Sequence, residues 1–439
     1  MRIFLGTQEI AGYYASVCEG FKELGIEATF VDLSDHPFQY GPAEALSLAL
    51  AIRRTIKARR VRPRRSLGAF GLLAYEAVLR TLLLLWAVFK FDAFIFGFGS
   101  TLLQRSAIDL KLLRLLRKRT VFVFHGSDAR PPYLNGPAAP AGGIEAARAC
   151  ADRAKAIEQR VSLIDRYADV VVDNALSSHF HKRRCVHWIV IGVPCTAPTD
   201  AEPVFRSEPQ ESIRVLHSPS NPESKGTERI RQAIAVVKRK GYNIDYVEIS
   251  NKTHADVLVE LARADVVVDQ LYSDTPMATF ATEAAHFGKP ALVGGYGMDA
   301  FREMLPQNAM PPTLYCHPDD LESSLEQLCA NQSYRHELGQ HAKDFVQSNW
   351  TRRQVASRLL RLLNGDFPPS WLFDPRDIRY CHGYGQTENH ARHRIAELIA
   401  LQGVDALCVG DKPDLEHRLR EFAHREACSQ RMPSCSSSS

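Results

Sequence analysis

The chain has 439 residues, 45% of them hydrophobic and 24% charged, with a formal net charge of +4 at pH 7. That is globular composition with sequence enough for two full cores and a tail, and it excludes a disordered or fibrous chain. Its ten cysteines are scattered without a Cys-x-x-Cys pair or regular spacing, which argues against a disulfide framework and points to a reducing cytoplasm. Cys18, Cys150 and Cys408 stand in apolar or helical patterns, where a thiol packs as a small hydrophobe.

Met1 to Gly6 is too short an apolar run for a signal peptide and reads as a first buried strand. Further strand-like runs follow at 27–33, 92–99, 120–124, 169–173 and 188–193, with helical patterns at 11–24, 103–117 and 143–166. Short continuous apolar strands alternating with longer helices predict a parallel sheet covered on both faces. Pro198, Pro203 and Pro209 then mark a linker over 196–212. Alternation resumes with strands at 213–216, 244–249, 265–271 and 290–293 and helices at 228–240, 255–264, 277–287 and 321–330. The predicted fold class is therefore α/β, with two Rossmann-like domains, 1–195 and 213–364, facing a cleft. An extension over 365–439 carries helices at 388–402 and 413–424 around a short strand at 406–409, and its serine-rich end reads as disordered.

One stretch of the first domain, about 53–90, differs from the rest. Arg53, Arg54, Lys57, Arg59, Arg60, Arg62, Arg64 and Arg65 crowd a segment without an acidic residue between Glu44 and Glu76. An uncharged apolar run, 81–89, follows. Glu76, Arg80 and Lys90 interrupt the apolar sequence, so no segment reaches the roughly 20 residues that span a bilayer. A basic cluster beside an apolar helix is the pattern of an interfacial anchor on an anionic membrane. A core helix beside a solvated basic face is the plainer reading of the same residues. Nucleic acid is disfavoured, since no interleaved aromatics or binding module accompany the arginines.

The chemistry concentrates in two segments. The first is His217-Ser218-Pro-Ser220-Asn-Pro-Glu-Ser-Lys225-Gly226-Thr227, lying between a strand and a helix. A loop with Gly and Lys opening a helix offers N–H groups and positive charge to a phosphate. The second is Glu283-Ala-Ala-His-Phe-Gly288-Lys-Pro290, where a helix carboxylate is placed to take a ribose hydroxyl. Read singly, each is an ordinary βα unit; their order and spacing suggest a nucleoside-diphosphate ligand. In the first βα loop Gly6 and Gly12 flank Thr7, Gln8 and Glu9, candidates for acceptor contact. His179-x-His181 and His390-x-x-His393 lack metal-site partners, and neither a Gly-x-Ser-x-Gly nor a Walker loop is present. Tyr380-Cys-His-Gly-Tyr-Gly is unusual and carries no functional reading.

Over approximately residues 1–360 the chain resembles the GT-B retaining glycosyltransferases of the family 4, or group 1, type found in bacterial polysaccharide synthesis. The resemblance rests on Phe124-His125-Gly-Ser-Asp128-Ala-Arg130, Ile191-Gly-Val-Pro194, Ser224-Lys225-Gly226-Thr227, and Glu283 to Pro290 in that order. It implies a nucleotide-sugar donor on the C-terminal domain, retention of anomeric configuration, no bound metal and no cofactor. Lys225 matches the phosphate-binding lysine, Glu283 the second Glu of the Glu-x7-Glu motif on the donor ribose, and His125 the histidine that approaches the donor sugar. Ser218, Ser220, Gly226, Thr227, Asp274 and Thr275 complete the donor side, and Asp128 joins the acceptor side. Two departures stand out. Thr275, beside Asp274, occupies the place of the first Glu, and 219–224 lacks the arginine that usually precedes the lysine. The implied reaction moves a sugar to a lipid-linked or polysaccharide acceptor at the cytoplasmic face of a membrane. The alternatives are a nucleotide-sugar epimerase and a non-catalytic scaffold of the same fold.

Overall fold

The computed structural model describes residues 1–34, 46–63, 66–104, 108–138, 142–194, 212–250, 252–306 and 309–424. Nearly all of the expected linker, Arg64 and Arg65, and the serine-rich end lie outside the described residues.

The first sheet takes strands β1 (Ile3–Thr7), β2 (Ala28–Asp32), β3 (Ala93–Gly97), β4 (Arg119–Val123), β5 (Val170–Asp173) and β6 (Cys185–His187). They run parallel in the order β6-β5-β4-β3-β1-β2. Every residue of β1, β3 and β5 is buried, because helices cover both faces and leave no side for polar residues. The helices of this half are α1 (Tyr13–Glu23), α2 (Ser47–Arg60), α3 (Leu67–Lys90), α4 (Ile108–Leu115), α5 (Ile144–Tyr167) and the short α6 (Trp188–Ile191). The predicted strand at 188–193 is corrected to α6. The His187 ring accepts from the Ile189 N–H and starts that turn, and Gly192, at φ 91°, ends it.

The second sheet has five parallel strands. They are β7 (Ile213–His217), β8 (Ile244–Glu248), β9 (Val266–Val268), β10 (Ala291–Gly294) and β11 (Leu314–Cys316), in the order β11-β10-β9-β7-β8. Its helices are α7 (Pro222–Lys225), α8 (Thr227–Arg239), α9 (His254–Arg263), α10 (Thr279–His286), α11 (Met298–Glu303), α12 (Leu321–Ala330) and α13 (Gln332–Asn349). Helix α14 (Arg352–Asn364) follows the second domain in sequence but packs on the first sheet. Val355, Leu359 and Leu363 enter one core with Ile3, Leu5 and Val121. Gly20 of α1 permits this approach, since a Cβ there would meet the Arg352 carbonyl oxygen at 2.2 Å.

The remaining chain stays with the first domain. Strand β12 (Leu372–Phe373) pairs antiparallel with β6, and α15 (Glu388–Gln402) packs on α5 and on α16 (Pro413–His424). The strand foreseen at 406–409 is instead the end of a 3-10 turn, Val404–Leu407, closed by Cys408 at φ 56°. Between β12 and α15, residues 380–386 run along both domains as a strap. The Tyr380 hydroxyl donates to Asp274 at 2.6 Å and the Tyr380 carbonyl faces His179 Nε2 at 2.8 Å. Gly385 N–H donates to the Tyr272 carbonyl, while Tyr384 exchanges backbone bonds with Leu134 and Gly136.

Helix α3 has 24 residues and is long and apolar enough to cross a membrane. The charges that interrupt its sequence are turned inward. Glu76 accepts from Arg80 at 2.9 Å and pairs with Arg59 of α2 at 3.1 Å, and Arg80 also donates to the Leu102 carbonyl. The expectation that Glu76 and Arg80 break the apolar run therefore fails for the outer face. Leu67, Phe70, Val78, Leu82, Leu85 and Phe89 are exposed there, while Leu79, Leu83, Ala87 and Val88 pack into the domain.

Candidate functional site

The carboxyl ends of both parallel sheets open on one cleft, the place where α/β sheets bind ligands. It holds a cavity of about 470 Å³ walled by both domains and by Tyr384 of the strap. His125, Ser218, Ser220, Lys225, Thr275 and Glu283 all line it.

Lys225 ends α7, and its carbonyl accepts from Leu271 N–H, which fixes the backbone. Its ammonium donates to Asp269 at 2.8 Å and to Gln270 at 2.9 Å. An ammonium has three N–H groups, so one remains for a ligand in the cavity. Burial works to lower the Lys225 pKa, but the Asp269 carboxylate outweighs it and holds the charge on. Glu283, on α10, is buried and binds His254 Nε2 at 2.7 Å through one carboxylate oxygen. That hydrogen bond raises the His254 pKa against the effect of burial.

His125 sits just beyond β4, with its ring Nε2 2.9 Å from the Tyr14 hydroxyl and its edge against Tyr13. Burial lowers its pKa to about 4, so the imidazole is neutral near pH 7 and offers hydrogen bonding rather than charge. Asp128 accepts from the His125 N–H at 2.9 Å. Burial, helped by Asp173, raises its pKa to about 7.

Several sequence assignments are corrected by the geometry. Gly226 and Thr227 do not line the cavity: Gly226 packs against Leu271 and Tyr272, and the Thr227 hydroxyl turns inward to His217 Nε2 at 2.9 Å. His217 Nδ1 donates to the Val268 carbonyl, so Nε2 accepts from that hydroxyl. The start of α8 is thus sealed in the core rather than turned to a ligand. Asp274 is buried between the Gly297 N–H and the Tyr380 hydroxyl and braces the strap. On the acceptor side Gly6, Thr7, Glu9, Gly12 and Asp128 stand behind the wall, and Ile10, Ala11 and Tyr13 form it. Glu9 spends its carboxylate on the N–H groups of Ile10, Tyr14 and Ala15 at the start of α1.

Other lining residues were not assigned from sequence: Arg130, Asn174, Trp188, Lys252, His254, Gln270 and Tyr384. Arg130 stood within the quoted motif, five residues after His125, and its charge was the available signal. For Tyr384, 101 positions past Glu283, the one signal was the unusual Tyr380-Cys-His-Gly-Tyr-Gly run, which named no role.

No family model and no curated protein matches this chain. Solved structures do. The chain is similar to the catalytic domain of starch synthase IV from Arabidopsis thaliana bound to ADP and acarbose. The TM-score is 0.51 at 11% identity, over 83% of this chain and 98% of that one. A looser likeness, TM-score 0.47 at 14% identity over 83% and 99% of the two chains, relates it to Anabaena HepE in complex with UDP and glucose. The two Rossmann-like domains and the cleft between their strand ends define the GT-B architecture.

Proposed function

We propose that the protein is a glycosyltransferase. It takes a sugar from a nucleoside-diphosphate donor held in the cleft and passes it, with retention, to a lipid-linked or polysaccharide acceptor. The observation that carries this reading is the convergence of Lys225, Ser218, Ser220 and Glu283 with His125 on one cavity between the domains. Cleavage of a sugar–phosphate bond leaves negative charge on the departing diphosphate, and Lys225 is the fixed, charged donor placed to stabilise it. Glu283 has one carboxylate oxygen beyond its bond to His254, and that oxygen would accept from a ribose hydroxyl. Neutral His125 would hold a hydroxyl of the donor sugar. The departing phosphate would then take the acceptor's proton on the same face. The Arabidopsis domain of the same fold is bound to ADP.

The membrane reading draws on the outer face of α3, a row of exposed apolar side chains. Arg54, Arg60 and Arg62, on and just past the neighbouring helix α2, are exposed as well. With its inner face committed to the domain core, α3 would lie in the headgroup layer and present a lipid-linked acceptor to the cleft from the cytoplasmic side. Six cysteines among the described residues are buried as thiols, which fits a reducing compartment. The test is turnover of labelled nucleotide sugars with anionic vesicles carrying a polyprenyl-phosphate-linked saccharide. Sugar incorporation with the donor's anomeric configuration, read by NMR, supports the proposal. Release of neither sugar nor nucleotide from any donor refutes it.

A further inference from the structure

Arg130 is a cation without a carboxylate bonded to it among the described residues, and only 8% of its surface is exposed. Asp128 and Asp173 act on it at a distance but neither is bonded to it, so its N–H groups are not spent on a carboxylate. Arg130 faces the same cavity as Lys225, from the opposite domain. Two features hold it there. Gly126, at φ 106°, passes so close that a Cβ would sit 2.9 Å from the guanidinium. The Tyr384 ring lies against its cationic face, 4.7 Å from centroid to guanidinium carbon.

The Tyr384 ring is itself fixed by main-chain bonds to both domains. Tyr384 N–H donates to Leu134, Gly136 N–H donates to the Tyr384 carbonyl, and Gly385 N–H donates to Tyr272 at 2.6 Å. Gly385, at φ 66°, passes so near that a Cβ would be 2.8 Å from the Ser224 Cβ, one residue from Lys225. The ring thus stacks on Arg130 and lines the same cavity as Lys225. Strap, arginine and lysine therefore form one assembly that turns cationic N–H groups of both domains toward one cavity.

We propose that Arg130 is the second phosphate-binding cation of the cleft and that Tyr384 is its positioning residue. The pyrophosphate of the ligand would bridge Lys225 of one domain and Arg130 of the other. The inference rests on the nucleoside-diphosphate reading and deepens it. The arginine absent from 219–224 is replaced by one reaching across the cleft, and the strap that sequence could not interpret completes the site. A guanidinium presents paired N–H groups to phosphate oxygens, whereas an ammonium presents a point charge.

The experiment is calorimetric titration of the full chain with UDP, ADP, GDP, UMP and inorganic pyrophosphate. It compares wild type, Arg130→Gln, Arg130→Lys, Tyr384→Phe and Tyr384→Ala. Loss of a charge-assisted contact should weaken diphosphate and pyrophosphate binding in Arg130→Gln by about tenfold to a hundredfold. UMP should change much less. Tyr384→Phe keeps the ring and the affinity, Tyr384→Ala loses severalfold, and Arg130→Lys falls between wild type and Gln. Melting without ligand identifies a variant that fails to fold, and the Tyr384 pair then carries the test. Diphosphate affinity equal to wild type in Arg130→Gln, or in Tyr384→Ala, overturns the proposal. If wild type binds pyrophosphate in an Arg130-dependent way but no nucleoside diphosphate, the donor reading falls and the cradle stands. If wild type binds neither, both fall.

Discussion

Replacing Lys225 by alanine should cost stability as well as ligand affinity, and the two effects can be separated. Asp269 is fully buried and Lys225 is its one ion-pair partner among the described residues, while the other Asp269 oxygen has no hydrogen bond there. Removing the lysine strands a carboxylate in the core, at about 3–5 kcal/mol. For a domain of this size that lowers the melting temperature by roughly 10 °C. Exchanging both partners for apolar residues, Lys225→Met with Asp269→Leu, removes the stranded charge and should recover most of that loss. Neither form should bind a nucleoside diphosphate well, because the cavity has lost its ammonium in each. Differential scanning fluorimetry gives stability and calorimetry gives affinity. The reasoning is refuted if Lys225→Ala melts with wild type, or if the double variant binds the diphosphate as tightly as the native chain.

Other outcomes follow from the same contacts. Glu283→Ala should weaken binding of a nucleoside diphosphate while leaving inorganic pyrophosphate affinity near wild type, measured by calorimetry. Burial raises the Asp274 carboxyl from near 4 to about 6, so the folded chain holds that proton more tightly than the unfolded one. Its contribution is full below about pH 4 and is lost as pH rises through about 6, so the melting-temperature gap between wild type and Asp274→Asn should shrink from pH 4.5 to 7. Tyr380→Phe leaves an Asp274 oxygen without its donor and should cost about 1–3 kcal/mol in urea unfolding. Each exposed arginine near an anionic surface is worth about 1 kcal/mol, so Arg54, Arg60 and Arg62 changed together to Gln should cut partition onto anionic vesicles about a hundredfold. Leu82→Glu with Phe89→Glu should abolish the partition, while unchanged sedimentation of either variant with vesicles would remove the membrane surface from the account.

Much of the fold was legible because buried parallel strands announce themselves as continuous apolar runs, as in β1, β3, β4 and β5. The short strand β6 and helix α6 were not separable, since Cys185 to Ile191 is apolar but for His187, whose cap, with Gly192, divides it. Helices α2, α13 and α14 and strand β11 went unassigned. For α14 its sequence neighbours gave no hint that it docks on the first sheet. At the site, Lys225 was legible from its loop between strand and helix and Glu283 from its helix ending at Gly288, while His125 stood out through the resemblance to a known family. Thr227, Gly226 and Asp274 share those patterns but face inward, and the direction of a side chain in a loop is set by partners such as His217 and Tyr380. Tyr384 belongs to the cavity through a strap that only the tertiary structure brings there.

The most direct test of the central claim is a thermal-shift panel of nucleoside mono- and diphosphates and nucleotide sugars on the full chain. A ligand at 100 times its Kd stabilises the state it binds by about 2.7 kcal/mol. The account predicts a saturable rise in melting temperature with one nucleoside diphosphate and its sugar derivatives, well above that with the matching monophosphate. A panel in which diphosphates and monophosphates of every base leave the melting temperature where it was would contradict it.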